Sequence, residues 1–218
     1  MKDDIYLKNL ISVPRSGQHM TEKALRFYYK LLQKDFVYCE YYTCCKCRPC
    51  KKNIFAYQKN HDFEIGTENE IKMNHLEKYI FFFRDNILQQ MESHYRLTLA
   101  DSNKIPHTNL KIDYNNLSKL NNFKKFILQY ASYYKKIYPK YLNYNCDNML
   151  HIEYDDYIQN FTSMFKTILQ FLDLPINEDY IHSVKNYIQP ELFHKISSED
   201  SYYSELNNFI QQQINKID

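Results

Sequence analysis

The chain has 218 residues and 26.7 kDa, enough to bury one substantial core, and a hydrophobic content of 44% excludes wholesale disorder. Its 28 basic and 26 acidic residues leave a formal charge of +2, which gives no global field for nucleic acid or another polyanion, so an anion has to be bound locally. The opening MKDDIYLKNL never develops the apolar core of a signal peptide and no run reaches bilayer length, so the expectation is a soluble, cytoplasmic protein without a membrane span.

In chain order, Ile5 to Val13 carries the apolar run NLISV and predicts a buried strand, and Met20 to Leu32 places Ala24, Leu25, Tyr28 and Leu32 at helical spacing. DFVYCEYY, NIFAYQKN and KYIFFFRDN predict the second, third and fourth strands, each short and rich in aromatic or β-branched residues. Ile87 to Leu99 predicts a helix, Ala100 to Asn116 a polar loop, and Leu117 to Tyr138 a second long helix stopped by Pro139. NMLHIEYDD is the fifth strand, Phe161 to Leu174 an amphipathic helix ended by Pro175, and two weaker helical patterns close the chain. Strands alternating with helices imply an α/β fold with a central parallel sheet. The chain reads as one domain with a cysteine-rich insertion at about 39–53.

Between the first strand and first helix lies Pro-Arg-Ser-Gly, containing one of only two glycines in the chain. In a parallel α/β sheet this turn sits at the carboxyl edge, where loop amides and a helix N-terminus form an anion site. Gly17 would let the backbone approach a phosphate closely. Ser16 and the amides of Gly17, Gln18 and His19 are candidate donors, and Arg15 adds a permanent positive charge. The segment is not a Walker A loop, because it lacks that motif's glycine frame and terminal Gly-Lys-Ser/Thr. A structural turn before a helix is the plain alternative.

Four segments in order resemble the sulfotransferase family, whose sulfuryl donor is 3′-phosphoadenosine 5′-phosphosulfate (PAPS). SVPRSGQHM is similar to its 5′-phosphosulfate loop, FAYQKNHDF to its Lys-x-His strand end, and YIFFFRDNILQQMESHYR to its 3′-phosphate segment. IEYDDYIQNFTSMFKTILQFLDLP is similar to its Tyr-Glu-Asp strand end and the helix that follows. The resemblance implies a three-layer fold like that of the P-loop NTPases. It implies sulfuryl transfer to a hydroxyl or amine of a glycan or small-molecule acceptor, with no required metal.

It also implies roles residue by residue. Arg15 stands where many members carry Lys, and stabilises charge on the leaving phosphate; the tyrosylprotein branch shares Pro-Arg-Ser-Gly. His61 is the candidate general base, because a neutral imidazole can take the acceptor's proton, and Lys59, two residues earlier, shares its strand face. Glu40 is the rival base. Arg84 matches the 3′-phosphate ligand, with a strand-end pairing to Asp85 or Glu92 as the ordinary alternative. Ser93 is its partner, one residue further along than usual, an offset of about 100° on a helix. Tyr154 matches the adenine contact. The family's Arg-Lys-Gly segment is missing after Leu174, with His194 and Lys195 as its weak substitutes.

The cluster YCEYYTCCKCRPCKKN holds Cys39, Cys44, Cys45, Cys47 and Cys50. Its Cys-x-x-Cys spacings admit zinc held by Cys39, Cys44, Cys47 and Cys50, a redox pair, or free thiols; reduced structural thiols without metal are the leading reading. Two rival functions remain: a nucleoside-phosphate kinase on the same topology, and a zinc-stapled module binding RNA or protein.

Overall fold

The computed structural model describes residues 7–41, 44, 46–47, 50–51, 57–62, 71–103, 112–113, 115–192 and 202–215. Five strands, β1 (Leu7–Ser12), β2 (Tyr38–Glu40), β3 (Tyr57–Asn60), β4 (Glu77–Phe83) and β5 (Met149–Glu153), form one parallel sheet in the order β2-β3-β1-β4-β5. Parallel strands need covering on both faces, and the side-chain alternation of β4 divides them. Ile80 and Phe82 join Leu10, Tyr28, Phe165 and Ile181 in one core, beneath helices α1 (Gln18–Leu31), α4 (Tyr154–Gln159), α5 (Phe161–Phe171) and α6 (Glu178–Ile188). Tyr79 and Phe81 join Ile11, Met91, Phe123 and Ile137 in the other, beneath α2 (Ile87–Asn103), α3 (Leu117–Leu142) and α7 (Tyr202–Asn215). The result is the expected three-layer α/β architecture. No helix among the described residues is long and apolar enough to cross a membrane.

Several boundaries differ from expectation for local reasons. The second strand is cut to three residues, as suits an edge strand with one neighbour, β3. Helix α2 continues to Asn103, into the stretch expected to be loop, and residues 104–111 lie outside the described residues. Helix α3 runs through Pro139 to Leu142. A proline in a last turn forfeits one amide bond, whereas stopping there would expose Tyr141, which is fully buried with its hydroxyl donating to Asp62 at 2.7 Å. The fifth strand ends at Glu153, because that carboxylate accepts from the amide of Asp156 at 2.8 Å and caps α4. Tyr154 is thereby the first residue of a helix.

β1 is central, with β3 beside it on one side and β4 on the other, so the loops after β1, β3 and β4 open into a crevice at their carboxyl ends.

Candidate active site

The loop after β1 takes its shape from two residues in the left-handed region, Arg15 at φ 71° and Gly17 at φ 85°. A Cβ on Gly17 would lie 2.6 Å from Cδ2 and 3.0 Å from Cε2 of Tyr154. The glycine is thus required twice, for its backbone conformation and because the Tyr154 ring, from the end of β5, lies directly on it. Gly17 is also the N-cap of α1, with no side chain to cap the helix. The first helix amide to reach a carbonyl is that of Met20, 3.0 Å from Gly17 O, so the preceding amides need an acceptor from outside the helix.

The loop is bolted from below by side chains. Gln18, buried, donates through Nε2 to Leu10 O and accepts from the Ser12 hydroxyl at 2.6 Å; its side chain is structural, leaving its amide as the group that could meet an anion. Ser16 is buried too, and its Oγ accepts from Gln90 Nε2 at 2.5 Å, while the same nitrogen reaches Pro14 O at 3.1 Å. Gln90 was not found by sequence reasoning. It is fully buried, and the Tyr138 hydroxyl donates to its Oε1, so α2 and α3 jointly fix the loop.

His61 follows β3, and its Nδ1 lies 2.8 Å from Ser12 O. A carbonyl only accepts, so Nδ1 carries the proton and Nε2 keeps its lone pair. The Tyr133 hydroxyl donates to His61 O at 3.0 Å and fixes the backbone. Burial and the nearby Lys59 charge pull the His61 imidazole down to about 4, so it is neutral at pH 7. Lys59 is 3% exposed and donates to Glu40 Oε1 at 2.5 Å and to His19 Nε2 at 3.2 Å. The register explains the ion pair, since Glu40 and Lys59 are direct partners across β2 and β3. Burial raises the Glu40 carboxyl, but the hydrogen bond and charge of Lys59 outweigh it and hold the group below the usual carboxylate range. His19 stands exposed at the rim.

Arg84 directly follows β4, is 6% exposed, and lays its guanidinium carbon 3.8 Å from the centre of the Tyr154 ring. Glu92 is paired with Arg96 instead, and Arg84 forms no ion pair with Asp85 or Glu92 among the described residues; its Nε is buried without a hydrogen-bond partner there. Ser93 is brought to the loop rather than to Arg84: its Oγ accepts from Arg15 Nε at 3.2 Å. The next residue, His94, lines the cleft in its stead, 7% exposed, edge-on to Phe126 and Tyr130, its Nδ1 without a partner among the described residues. Burial and Arg15 lower the His94 imidazole to about 4. The one-residue offset of Ser93 was the signal that could have found it.

These groups enclose one cleft of about 420 Å³ at the carboxyl edge of the sheet, lined among others by Arg15, Gly17, Glu40, Lys59, His61, Arg84, His94 and Tyr154. Its charged side chains are three cations and one carboxylate, a local positive field in a chain that is nearly neutral overall. Burial and the nearby Arg84 draw the Arg15 guanidinium below its ordinary value, against an opposing effect of Tyr154. A bound polyanion would add compensation to these partly desolvated cations beyond the Lys59–Glu40 pair.

Of the four cysteines expected to be able to share a metal, Cys39, Cys44 and Cys50 assemble, their sulfurs all within 4.8 Å of one another, and Cys47 stands outside that group. Cys39, Cys44, Cys47, Cys50 and Cys146 form no disulfide among the described residues, and Cys45, His194 and Lys195 lie outside them.

No protein-family model matches the chain, and no curated protein matches it. Its fold is nonetheless shared with solved structures. Mouse sulfotransferase SULT7A1 complexed with PAP superposes with a TM-score of 0.59 at 16% identity, over 99% of this chain and 79% of that one. Retinol dehydratase in complex with androsterone and the inactive cofactor PAP gives 0.59 at 12% identity, over 99% and 83%. Retinol dehydratase in a complex with retinol and PAP gives 0.58 at 13%, over 99% and 84%. The architecture is therefore the sulfotransferase fold, a P-loop-like parallel sheet between helical layers.

Proposed function

We propose that this chain is a PAPS-dependent sulfotransferase acting on a hydroxyl or amine of a glycan or small molecule. The observation that carries the reading is convergence: groups from five strand ends, at Arg15 to His19, Glu40, Lys59 to His61, Arg84 and Tyr154, meet in one cationic cleft. The fold supports it, because the solved relatives of this shape are complexed with PAP. The residues present fit such a nucleotide, with three cations, uncapped helix amides and a buried guanidinium Nε lacking a partner among the described residues.

When bound, PAPS supplies an activated sulfuryl group whose bond to phosphate breaks as the bond to the acceptor atom forms. The amides of Gly17, Gln18 and His19, with Ser16 and Arg15, hold the 5′-phosphate end, and Ser93 steadies Arg15 for it. Arg15 remains charged throughout and acts by electrostatic stabilisation. Arg84 would hold the 3′-phosphate, and Tyr154, lying against Gly17 and Arg84, would flank the base. His61 accepts the acceptor's proton at Nε2. Glu40 holds Lys59 in place and is thereby engaged, which favours His61 over Glu40 as the base. The whole forms one catalytic domain bearing a cysteine-rich loop between β2 and β3, and cysteines that form no disulfide among the described residues suit a cytoplasmic setting.

The test is transfer of radiolabelled sulfate from PAPS to a panel of glycan, phenol, alcohol and amine acceptors. Label in any acceptor that depends on Arg15 supports the proposal; PAPS left intact across the panel, with no binding of PAP, refutes it.

A further inference from the structure

The cysteine loop has no part in the chemistry above, yet its thiols are gathered rather than scattered. Cys39 lies in β2, Cys44 follows the end of that strand, and Cys50 returns from the far side of the loop, so three separate points of the chain converge. Cys39 and Cys50 are each 2% exposed, with Val37 and Cys44 packed against them. All three sulfurs lie within 4.8 Å of one another, whereas a disulfide would join two of them and strand the third. One ion could serve all three: Zn–S bonds of about 2.3 Å in a tetrahedral thiolate centre set sulfurs roughly 3.8 Å apart, inside that limit. Supporting hydrogen bonds are already present. Gln58 is fully buried, its Nε2 points at Cys39 Sγ from 3.9 Å, and it also donates to Cys47 O at 2.7 Å, tying the loop to β3. The Cys44 amide donates to Glu40 O at 2.9 Å.

We propose that Cys39, Cys44 and Cys50 bind a structural zinc ion, with the fourth corner filled from outside this triad. Each thiol releases its proton to solvent as its Zn–S bond forms, and no electrons are exchanged. The resulting net negative charge would sit in a loop that also carries the exposed Lys46 and Lys51. The ion staples an edge strand of three residues whose last member, Glu40, holds Lys59. Its role is to fix that wall of the cleft, not to take part in transfer.

The experiment uses the full chain, purified under reducing conditions without a metal-binding tag. Elemental analysis should give one zinc per chain, and replacement by Co²⁺ should give near-ultraviolet thiolate-to-cobalt charge-transfer bands. Cys39→Ser and Cys50→Ser should each lose the zinc, while Cys146→Ser, altering an exposed cysteine elsewhere, should keep it. Because the triad variants could misfold, the unmutated chain is also titrated with Zn²⁺ against a chromogenic chelator. A chain that takes up no zinc in that competition, gives no cobalt charge-transfer band, or keeps its zinc in the double Cys39→Ser, Cys50→Ser variant overturns the proposal.

Discussion

The role proposed for His61 rests on how burial sets its protonation. Its Nδ1–H is committed to Ser12 O, so only Nε2 can receive a proton, and an imidazole lowered to about 4 is ready to do so throughout the neutral range. Where this base limits the rate, kcat/KM should fall on the acid side near pH 4 rather than near 6.5, because the group is protonated only below its lowered value. His61→Ala should reduce turnover by about 10²- to 10⁴-fold with PAP affinity retained. A variant that stays active while Glu40→Ala is dead would transfer the role to Glu40. Gly17 makes the sharper structural case. Gly17→Ala combines a left-handed backbone, costing about 1–2 kcal/mol for an L-residue, with a contact that must push Tyr154 aside. It should lower Tm and weaken PAP together; unchanged values of both would show that Tyr154 does not rest on the loop as described.

Among the elements, the strands and the loop between β1 and α1 were legible because each carries a local pattern: short aromatic runs, a rare glycine and helical spacing after it. What was not legible depends on contacts between elements. Gln90 is an ordinary helix residue in the sequence, and only the approach of α2 to the loop makes it the donor to Ser16. His94 is read correctly only once α2 has a rotational phase, which the one-residue offset of Ser93 hinted at but did not determine. Pro139 misled in the same way, since burial of Tyr141 outweighs one lost amide bond. That burial rests on Asp62, itself fully buried, which accepts from Tyr141 OH at 2.7 Å, Lys140 Nζ at 2.8 Å and the Ile71 amide at 2.8 Å. Asp62→Ala strands these donors and should cost about 3 kcal/mol, read as a shifted urea midpoint. A loss under about 0.5 kcal/mol, the range of an ordinary surface change, would contradict this junction.

For the whole molecule, the charges that attract an anion also shape stability against pH. His61 and His94 are both lowered to about 4 from an ordinary 6.5. Above pH 6.5 both are neutral in the folded and unfolded chain, and their contribution is full. Between pH 6.5 and 4 the unfolded chain takes up protons that the folded one refuses, so stability declines through that window. For the well-buried His94 the limit is on the order of 3 kcal/mol. His94→Phe should therefore lose less stability than the parent between pH 7 and 4.5 in urea titrations, and an equal loss would remove His94 from the explanation.

The most direct measurement is calorimetric titration of the chain with PAP, with ATP and Mg²⁺ as the comparison. Saturable binding of one PAP per chain, tighter than ATP and lost in Arg84→Ala, is the predicted result. No binding of PAP, or a preference for ATP with Mg²⁺, would contradict the assignment of this cleft.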